Sequence, residues 1–138
     1  MSNPRVFLGG TCAKGTSWRE KLIPQLMIPY FNPVNPHWDE AARLRELEER
    51  ETCAFCLYVI TPKMQGFYSI AEVADDSNKR PEKTIFCFLP EDGDETFTRK
   101  QLYSLKEVGK LVARNGGIWV ESLEAVAAVL NGTKTDSS

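Results

Sequence analysis

The sequence predicts a three-layer, doubly wound α/β domain built on a five-stranded parallel sheet. Two segments, residues 53–60 and 84–89, are almost continuously apolar, which is typical of strands that are buried on both faces. Segments with helical spacing of apolar residues separate the predicted strands. Strands that alternate with helices favour a parallel sheet with right-handed crossovers, as in flavodoxin-like and Rossmann-like folds.

The five predicted strands are short apolar segments bounded by turn-forming or polar residues. They are residues 5–8, 30–32, 53–60, 84–89 and 118–120. Gly9 and Gly10 end the first strand, and Pro33 closes the second. We expect residues 1–132 to form a single domain and residues 133–138 to form a flexible tail.

The five predicted helices begin near Ser17, Asp39, Gly66, Thr98 and Ser122. Two of them start with the spacing of a capping box, in which the fourth residue is Glu20 or Gln101. We expect Pro24 to kink the first helix, because proline lacks the amide hydrogen that a helix interior needs.

Two polar segments are predicted to lie outside helices and strands. Residues 75–82 contain several charges and Pro81, so a loop is expected there. Residues 90–95 form an acidic turn that begins with Pro90.

Charge and hydropathy exclude some classes of partner. The chain has 138 residues and a formal net charge of -2, which creates no field favouring nucleic acid or an anionic membrane. No secretory signal and no apolar run long enough to cross a bilayer is visible. We therefore expect a cytoplasmic protein with neither a nucleic-acid nor a membrane partner.

The four cysteines suit a reducing compartment. Cys56 and Cys87 lie in apolar segments, where cysteine acts as a small hydrophobic residue. The spacing of Cys53 and Cys56 also fits a redox or metal site, but no second cysteine pair accompanies it. Cys12 lies in a predicted loop and is the best candidate for a reactive thiol.

The carboxyl ends of the first three strands are where a doubly wound sheet should bind its ligand. Residues 9–15 are rich in glycine, which allows close approach to a ligand but also suits a plain tight turn. Residues 32–39 combine Asn32, Trp38 and Asp39, which could stack on and bond to a nucleobase. The only histidine, His37, suits a solvated loop position better than a catalytic one.

Glu72 follows the third strand, in the first turns of a predicted helix, and should face this crevice. Each acidic candidate also has a structural interpretation. Glu72 would instead complete a capping box with Ser69, and Asp39 would cap the helix that it precedes.

These segments together resemble the nucleoside 2-deoxyribosyltransferase-like family, especially its short branch. The similar elements, spread over residues 6–89, are Val6-Phe7-Leu8-Gly9-Gly10-Thr11, Trp18-Arg19, Phe31-Asn32-Pro33, Trp38-Asp39 and Gly66 through Glu72. The resemblance implies cleavage or transfer at the N-glycosidic bond of a 2'-deoxynucleoside or deoxynucleotide.

The resemblance also implies roles for individual residues. Glu72 would be the nucleophile, and Asp39 would contact the departing base. Gly10 and Thr11 would hold the sugar or a 5'-phosphate through backbone amides. The full set of expected substrate contacts is Gly9, Gly10, Thr11, Asn32, Trp38, Gly66, Phe67 and Ser69. We expect no cofactor, no metal ion, and a homodimer or higher homo-oligomer.

The chain departs from the family pattern in the loop after the third strand. Pro62-Lys63-Met64-Gln65 lacks the aspartate that transferases of this group often carry. Glu46, Glu48 and Glu51 compete for a further acidic position on the preceding helix, and Asn131 is the candidate for an asparagine lent by a neighbouring subunit. A non-catalytic nucleotide-binding module on the same fold is the alternative function.

Overall fold

The computed structural model describes residues 2–132 and has a central sheet in which all neighbouring strands are parallel. Its strands are β1 Asn3–Gly10, β2 Tyr30–Phe31, β3 Cys53–Ile60, β4 Thr84–Phe88 and β7 Ile118–Val120. Their order is β2-β1-β3-β4-β7, which confirms the predicted five-stranded parallel sheet. A separate antiparallel pair, β5 Glu91–Asp92 and β6 Glu95–Thr96, occupies the predicted acidic turn.

The described residues contain five α-helices, of which the first four connect strands of the sheet and the fifth follows β7. They are α1 Trp18–Leu22, α2 Glu40–Thr52, α3 Tyr68–Lys79, α4 Arg99–Arg114 and α5 Leu123–Asn131. A 3₁₀ turn at Ile23–Gln25 follows α1 and contains Pro24, so the helix ends before the proline instead of bending around it. The predicted tail, residues 133–138, lies outside the described residues.

The sheet separates two apolar cores, because successive residues of a strand point to opposite faces. Val6 and Leu8 of β1 belong to the core that α1 and α5 cover, and Phe7 belongs to the core that α3 and α4 cover. β3 alternates in the same way. This arrangement of helices, sheet and helices is the three-layer α/β fold that the sequence predicts.

The loop predicted over residues 75–82 is wrong for residues 75–79, because α3 continues to Lys79. Asp75 and Asp76 are the residues that made the segment look like a loop. In the structure Asp75 pairs with Lys79, and Asp76 is fully buried and pairs with Arg50 and Arg80. Their charges are therefore neutralised within the fold, and the helix tolerates them.

The two predicted capping boxes have different outcomes. Thr98 and Gln101 form the reciprocal hydrogen bonds at the start of α4. Ser17 precedes α1, but its side chain makes no capping bond, so that prediction is wrong. Its ψ angle of 12° lies far from the extended conformation that directs an N-cap hydroxyl to the helix amides.

β1 has β2 on one side and β3 on the other, so the strand order reverses at β1. The carboxyl ends of β1 and β3 therefore flank the switch point at which sheets of this type bind ligands. Within residues 2–132, no helix has both the length and the apolar character needed to cross a membrane.

Candidate active site

A cavity of about 710 Å³ opens at the carboxyl ends of β1 and β3. This volume is in the range of small-molecule sites. Its lining residues come from the ends of β1 and β3, from the loops that follow β1, β2 and β3, from one residue each of α1 and α2, and from the start of α3. Both predicted loop segments, residues 9–15 and 32–39, contribute to the cavity, and so does Glu72.

Glu72 lines this cavity from α3, and its side chain is 11% exposed. The predicted alternative, a capping box with Ser69, is wrong because α3 begins at Tyr68 and Phe67 is its N-cap residue. Ser69 and Glu72 are therefore both inside the helix, and the Glu72 carboxylate does not cap its N-terminus. Ser69 also lines the cavity.

Burial raises the pKa of Glu72 to about 7. The positive charge of Arg50, whose Nη1 lies 3.7 Å from Glu72 Oε2, opposes this effect. The negative charges of Glu46 and Asp76 add to it. A carboxyl group with such a pKa exchanges its proton near neutral pH, as acid–base and nucleophilic catalysts often do.

Glu46 is the second carboxyl group that lines the cavity, and it projects from α2. Burial raises its pKa, against the charges of Arg50 and Arg19. The other two candidates on this helix do not line the cavity: Glu48 borders a separate depression, and Glu51 is exposed. The structure thus selects Glu46 from the three.

Gly9 and Gly10 line the cavity at the end of β1, where they pair with Tyr58 and Val59 of β3. A Cβ atom on Gly10 would meet the Val59 carbonyl oxygen at 2.0 Å, and its φ of 115° disfavours other residues. A Cβ atom on Gly9 would meet the Tyr58 ring at 2.8 Å. These glycines therefore serve the packing of the two strands as well as the shape of the cavity.

Thr11 lines the cavity, but its backbone amide donates to the Val59 carbonyl at 2.9 Å. That amide is therefore not free to hold a sugar or phosphate. The Thr11 hydroxyl oxygen accepts from the amide of Thr61, so this residue joins the ends of β1 and β3.

Arg19 is a buried residue that lines the cavity and holds the β1–α1 loop in place, a role that the sequence did not indicate. Its Nε donates to the Leu8 carbonyl at 3.1 Å, and its Nη1 donates to the Thr11 carbonyl at 2.7 Å. The guanidinium lies 4.3 Å from the Trp18 ring centroid, and burial lowers its pKa to about 10. It fixes the backbone that forms one wall of the cavity.

The remaining predicted site residues divide into two groups. Trp38 and Gly66 line the cavity, whereas Asn32, Phe67 and Asp39 do not. Asn32 accepts a hydrogen bond from the amide of Val34 within its own turn. Asp39 is the N-cap of α2, where its Oδ1 accepts from the amide of Ala42 at 2.8 Å. The structural interpretation of Asp39 is therefore the one observed.

Asn131 makes its side-chain hydrogen bonds within its own chain. Its Oδ1 accepts from the amide of Met27 at 2.7 Å, and its Nδ2 donates to the Gln25 carbonyl at 2.9 Å. These bonds connect the end of α5 to the segment after α1 and engage both polar atoms of the Asn131 side chain.

The cysteine pair lies in the core that α3 and α4 cover. Cys53 and Cys56 are buried, and burial raises the pKa of their thiols to about 12 and 11. Cys12 is exposed and lines the cavity. Within the described part of the chain, no group of three or more histidine, cysteine or acidic side chains is arranged to hold a metal ion.

Comparison with known families agrees with this geometry. The family model described as nucleoside 2-deoxyribosyltransferase like matches residues 3–92. The chain belongs to the nucleoside 2-deoxyribosyltransferase-like family. Membership supports glycosyl transfer in general and a nucleoside as the small-molecule ligand. Neither the comparison with curated proteins nor that with solved structures gives a match.

Two charged residues of this nucleoside 2-deoxyribosyltransferase-like protein were missed by sequence reasoning. Arg50 and Asp76 meet beside Glu72, although 26 residues separate them in the chain. Asp76 lies four residues after Glu72 and thus on the same face of α3. Extending the predicted helix beyond Ala74 would have revealed this relationship.

Proposed function

We propose that the protein cleaves or transfers at the N-glycosidic bond of a 2'-deoxynucleoside or deoxynucleotide, with Glu72 as the nucleophile. The observation that carries this proposal is a carboxyl group in the cavity at the switch point, with a pKa of about 7 and no role in capping its helix. The family match to residues 3–92 supports the same reaction class.

In the first step, the ionised Glu72 carboxylate attacks the anomeric carbon of the deoxyribose. The bond from that carbon to the base nitrogen breaks, its electron pair leaves with the base, and a deoxyribosyl ester forms on Glu72. A carboxylate suits this step because the sugar gains oxocarbenium character as the base departs. Glu46 is the candidate for giving the departing base its proton, because it is the second carboxyl group that lines the cavity and burial raises its pKa.

In the second step, water or another base attacks the anomeric carbon and the ester bond to Glu72 breaks. Glu46, now a carboxylate, removes a proton from the attacking group, and Glu72 leaves as a carboxylate. Both groups return to their starting states. Glu46 replaces Asp39 as the candidate for contacting the base, because Glu46 lines the cavity and Asp39 caps α2.

Other lining residues support binding of the remaining parts of a nucleoside. Trp38 offers an aromatic face to a base, as stacking requires. Gly9, Gly10 and Ser69 border the space beside Glu72 that a sugar would occupy. Lys14 also lines the cavity and would favour an anionic 5' substituent.

The test is a turnover assay with the four common deoxynucleosides and their 5'-monophosphates, each with and without a second free base. We expect base release or exchange by the wild type, and a fall of at least about 100-fold in kcat for Glu72→Gln and for Glu46→Gln. Glu48→Gln is the matched control, because Glu48 is on the same helix as Glu46 but outside the cavity. Undiminished turnover by Glu72→Gln would refute the assigned role.

One observation favours a non-catalytic nucleotide-binding module instead. The β3–α3 loop lines the cavity with Met64, Gln65 and Gly66, and it offers no carboxylate there. Thermal shift separates the two functions, since a ligand that binds the native state raises the Tm whether or not it is turned over. Stabilisation by nucleotides with no release or exchange of base would support binding alone.

A further inference from the structure

Arg50 forms the centre of a buried polar cluster that also contains Tyr58, Glu72, Asp75 and Asp76. The Arg50 side chain is 10% exposed and lies among α2, α3 and β3, outside the set of residues that line the cavity. Asp76 and Tyr58 are fully buried. Burying charged and polar groups costs free energy unless they form ion pairs and hydrogen bonds with one another. A buried cluster of this kind therefore points to a role in the protein.

One edge of the Arg50 guanidinium is held firmly. Nη2 donates to Asp76 Oδ1 at 2.9 Å, and Nε donates to Asp76 Oδ2 at 3.2 Å, so the contact is bidentate. The Tyr58 hydroxyl accepts from Nε at 3.1 Å and donates to Asp76 Oδ2 at 2.6 Å. Arg80 pairs with the same aspartate at 2.9 Å. The plane of the guanidinium is therefore fixed by buried partners.

The other side of the guanidinium faces Glu72. Nη1 lies 3.7 Å from Glu72 Oε2, which is longer than a hydrogen bond but close enough for charge attraction. Glu72 thus gains a nearby positive charge without a direct hydrogen bond from Nη1 to its carboxylate. The carboxylate oxygens remain available to a ligand in the cavity.

The charged and titratable groups that face Glu72 come from three elements. Arg50 and Glu46 lie on α2, Asp76 lies on α3, and Tyr58 lies on β3. Of these, Arg50 alone supplies a positive charge. Burial, Glu46 and Asp76 all raise the pKa of Glu72, and Arg50 lowers it.

We infer that Arg50 is a positioning residue for Glu72: Asp76 and Tyr58 hold its guanidinium in place, and its positive charge holds the Glu72 carboxylate at the wall of the cavity. The inference rests on the proposed function for its catalytic consequence. The contact between Arg50 and Glu72 does not depend on catalysis and can be tested without measuring turnover.

The decisive measurement is a carbon-13 NMR titration of the glutamate carboxyl groups, with Glu72→Gln used to assign the signal. We expect a Glu72 pKa of about 7 in the wild type and a value about 1 unit higher or more in Arg50→Met, because a positive charge at this range has been removed. Arg50→Lys should restore part of the difference. Arg43→Met is the matched control, since Arg43 is an exposed arginine of the same helix.

Kinetics give a second readout in the same variants. In Arg50→Met, kcat should fall with little change in KM, because Arg50 does not line the cavity. The acid limb of the pH profile of kcat/KM should move to higher pH. If Arg50→Met does not fold, Arg50→Lys and Tyr58→Phe carry the test, since both keep the charges and should still shift the titration.

The inference is overturned if Glu72 titrates alike in the wild type and in every folded Arg50 and Tyr58 variant. An inactive wild type with a titration that depends on Arg50 would reject the proposed function and keep the contact. An active wild type in which the Glu72 titration does not depend on Arg50 would keep the proposed function and reject the inference about Arg50. The two failures are therefore distinguishable.

Discussion

At Glu72 two opposing effects act on one carboxyl group. Burial and the neighbouring acidic residues favour its neutral form, whereas Arg50 favours its ionised form. The resulting pKa of about 7 leaves comparable amounts of both forms at neutral pH. The ionised form can attack the anomeric carbon in the first step, and the same carboxylate is released when the ester breaks in the second. A nucleophile in glycosyl transfer must do both.

The raised pKa of Glu72 also predicts how stability depends on pH. In the unfolded chain this group titrates near 4.5, and in the folded protein it titrates near 7. As the pH rises between these values the unfolded state loses its proton first, so the wild type loses stability relative to Glu72→Gln. The difference should be small at pH 4 and full above pH 7.

Urea unfolding at pH 4, 6 and 8 measures this difference. Glu48→Gln, which replaces an exposed glutamate, should follow the wild type at every pH. A free-energy difference between Glu72→Gln and the wild type that stays constant from pH 4 to pH 8 would contradict the raised pKa.

At the start of α2, Asp39 shows how one acidic residue can suggest both a catalytic role and a helix-capping role. Asp39 caps this helix through Ala42, whereas Ser17 at the start of α1 makes no side-chain cap. We expect Asp39→Ala to lower the free energy of unfolding by about 1 kcal/mol. Ser17→Ala should change it by less than about 0.5 kcal/mol.

Chemical denaturation of the two alanine variants beside the wild type checks this prediction. Equal losses in both variants would show that the side-chain hydrogen bond of Asp39 does not account for the difference. If Asp39→Ala kept its stability and lost turnover, the catalytic interpretation of Asp39 would return.

The sequence predicted the strands well because continuous apolar runs identify them without knowledge of their partners. It failed at residues 75–79, where the charges that suggested a loop are neutralised by residues such as Arg50, distant in the chain. It also left Glu46, Glu48 and Glu51 unresolved. Leu44 and Leu47 on the same helix are 53% and 42% exposed, so the apolar pattern did not indicate which side of α2 faces the fold.

On the scale of the whole molecule, the cavity and the sheet are built by different parts of the chain. Every lining residue falls between Phe7 and Glu72, inside the segment that the family model matches. α4, β7 and α5 complete the sheet and its two cores without lining the cavity. The position of Glu72 at the cavity was predictable because the switch-point rule depends on strand order alone. The residues around Glu72 were not predictable, because they are set by packing between segments that are distant in the chain.

The most direct test of Glu72 as the nucleophile is detection of the deoxyribosyl ester on its carboxylate. The protein would be quenched with acid during turnover of a deoxynucleoside or its 2'-fluoro analogue, whose fluorine slows both steps by opposing oxocarbenium character. Intact mass and peptide mapping should show one added sugar on the peptide that contains Glu72, present in Glu48→Gln and absent in Glu72→Gln. Base release with no adduct, or an adduct on another residue, would contradict the account.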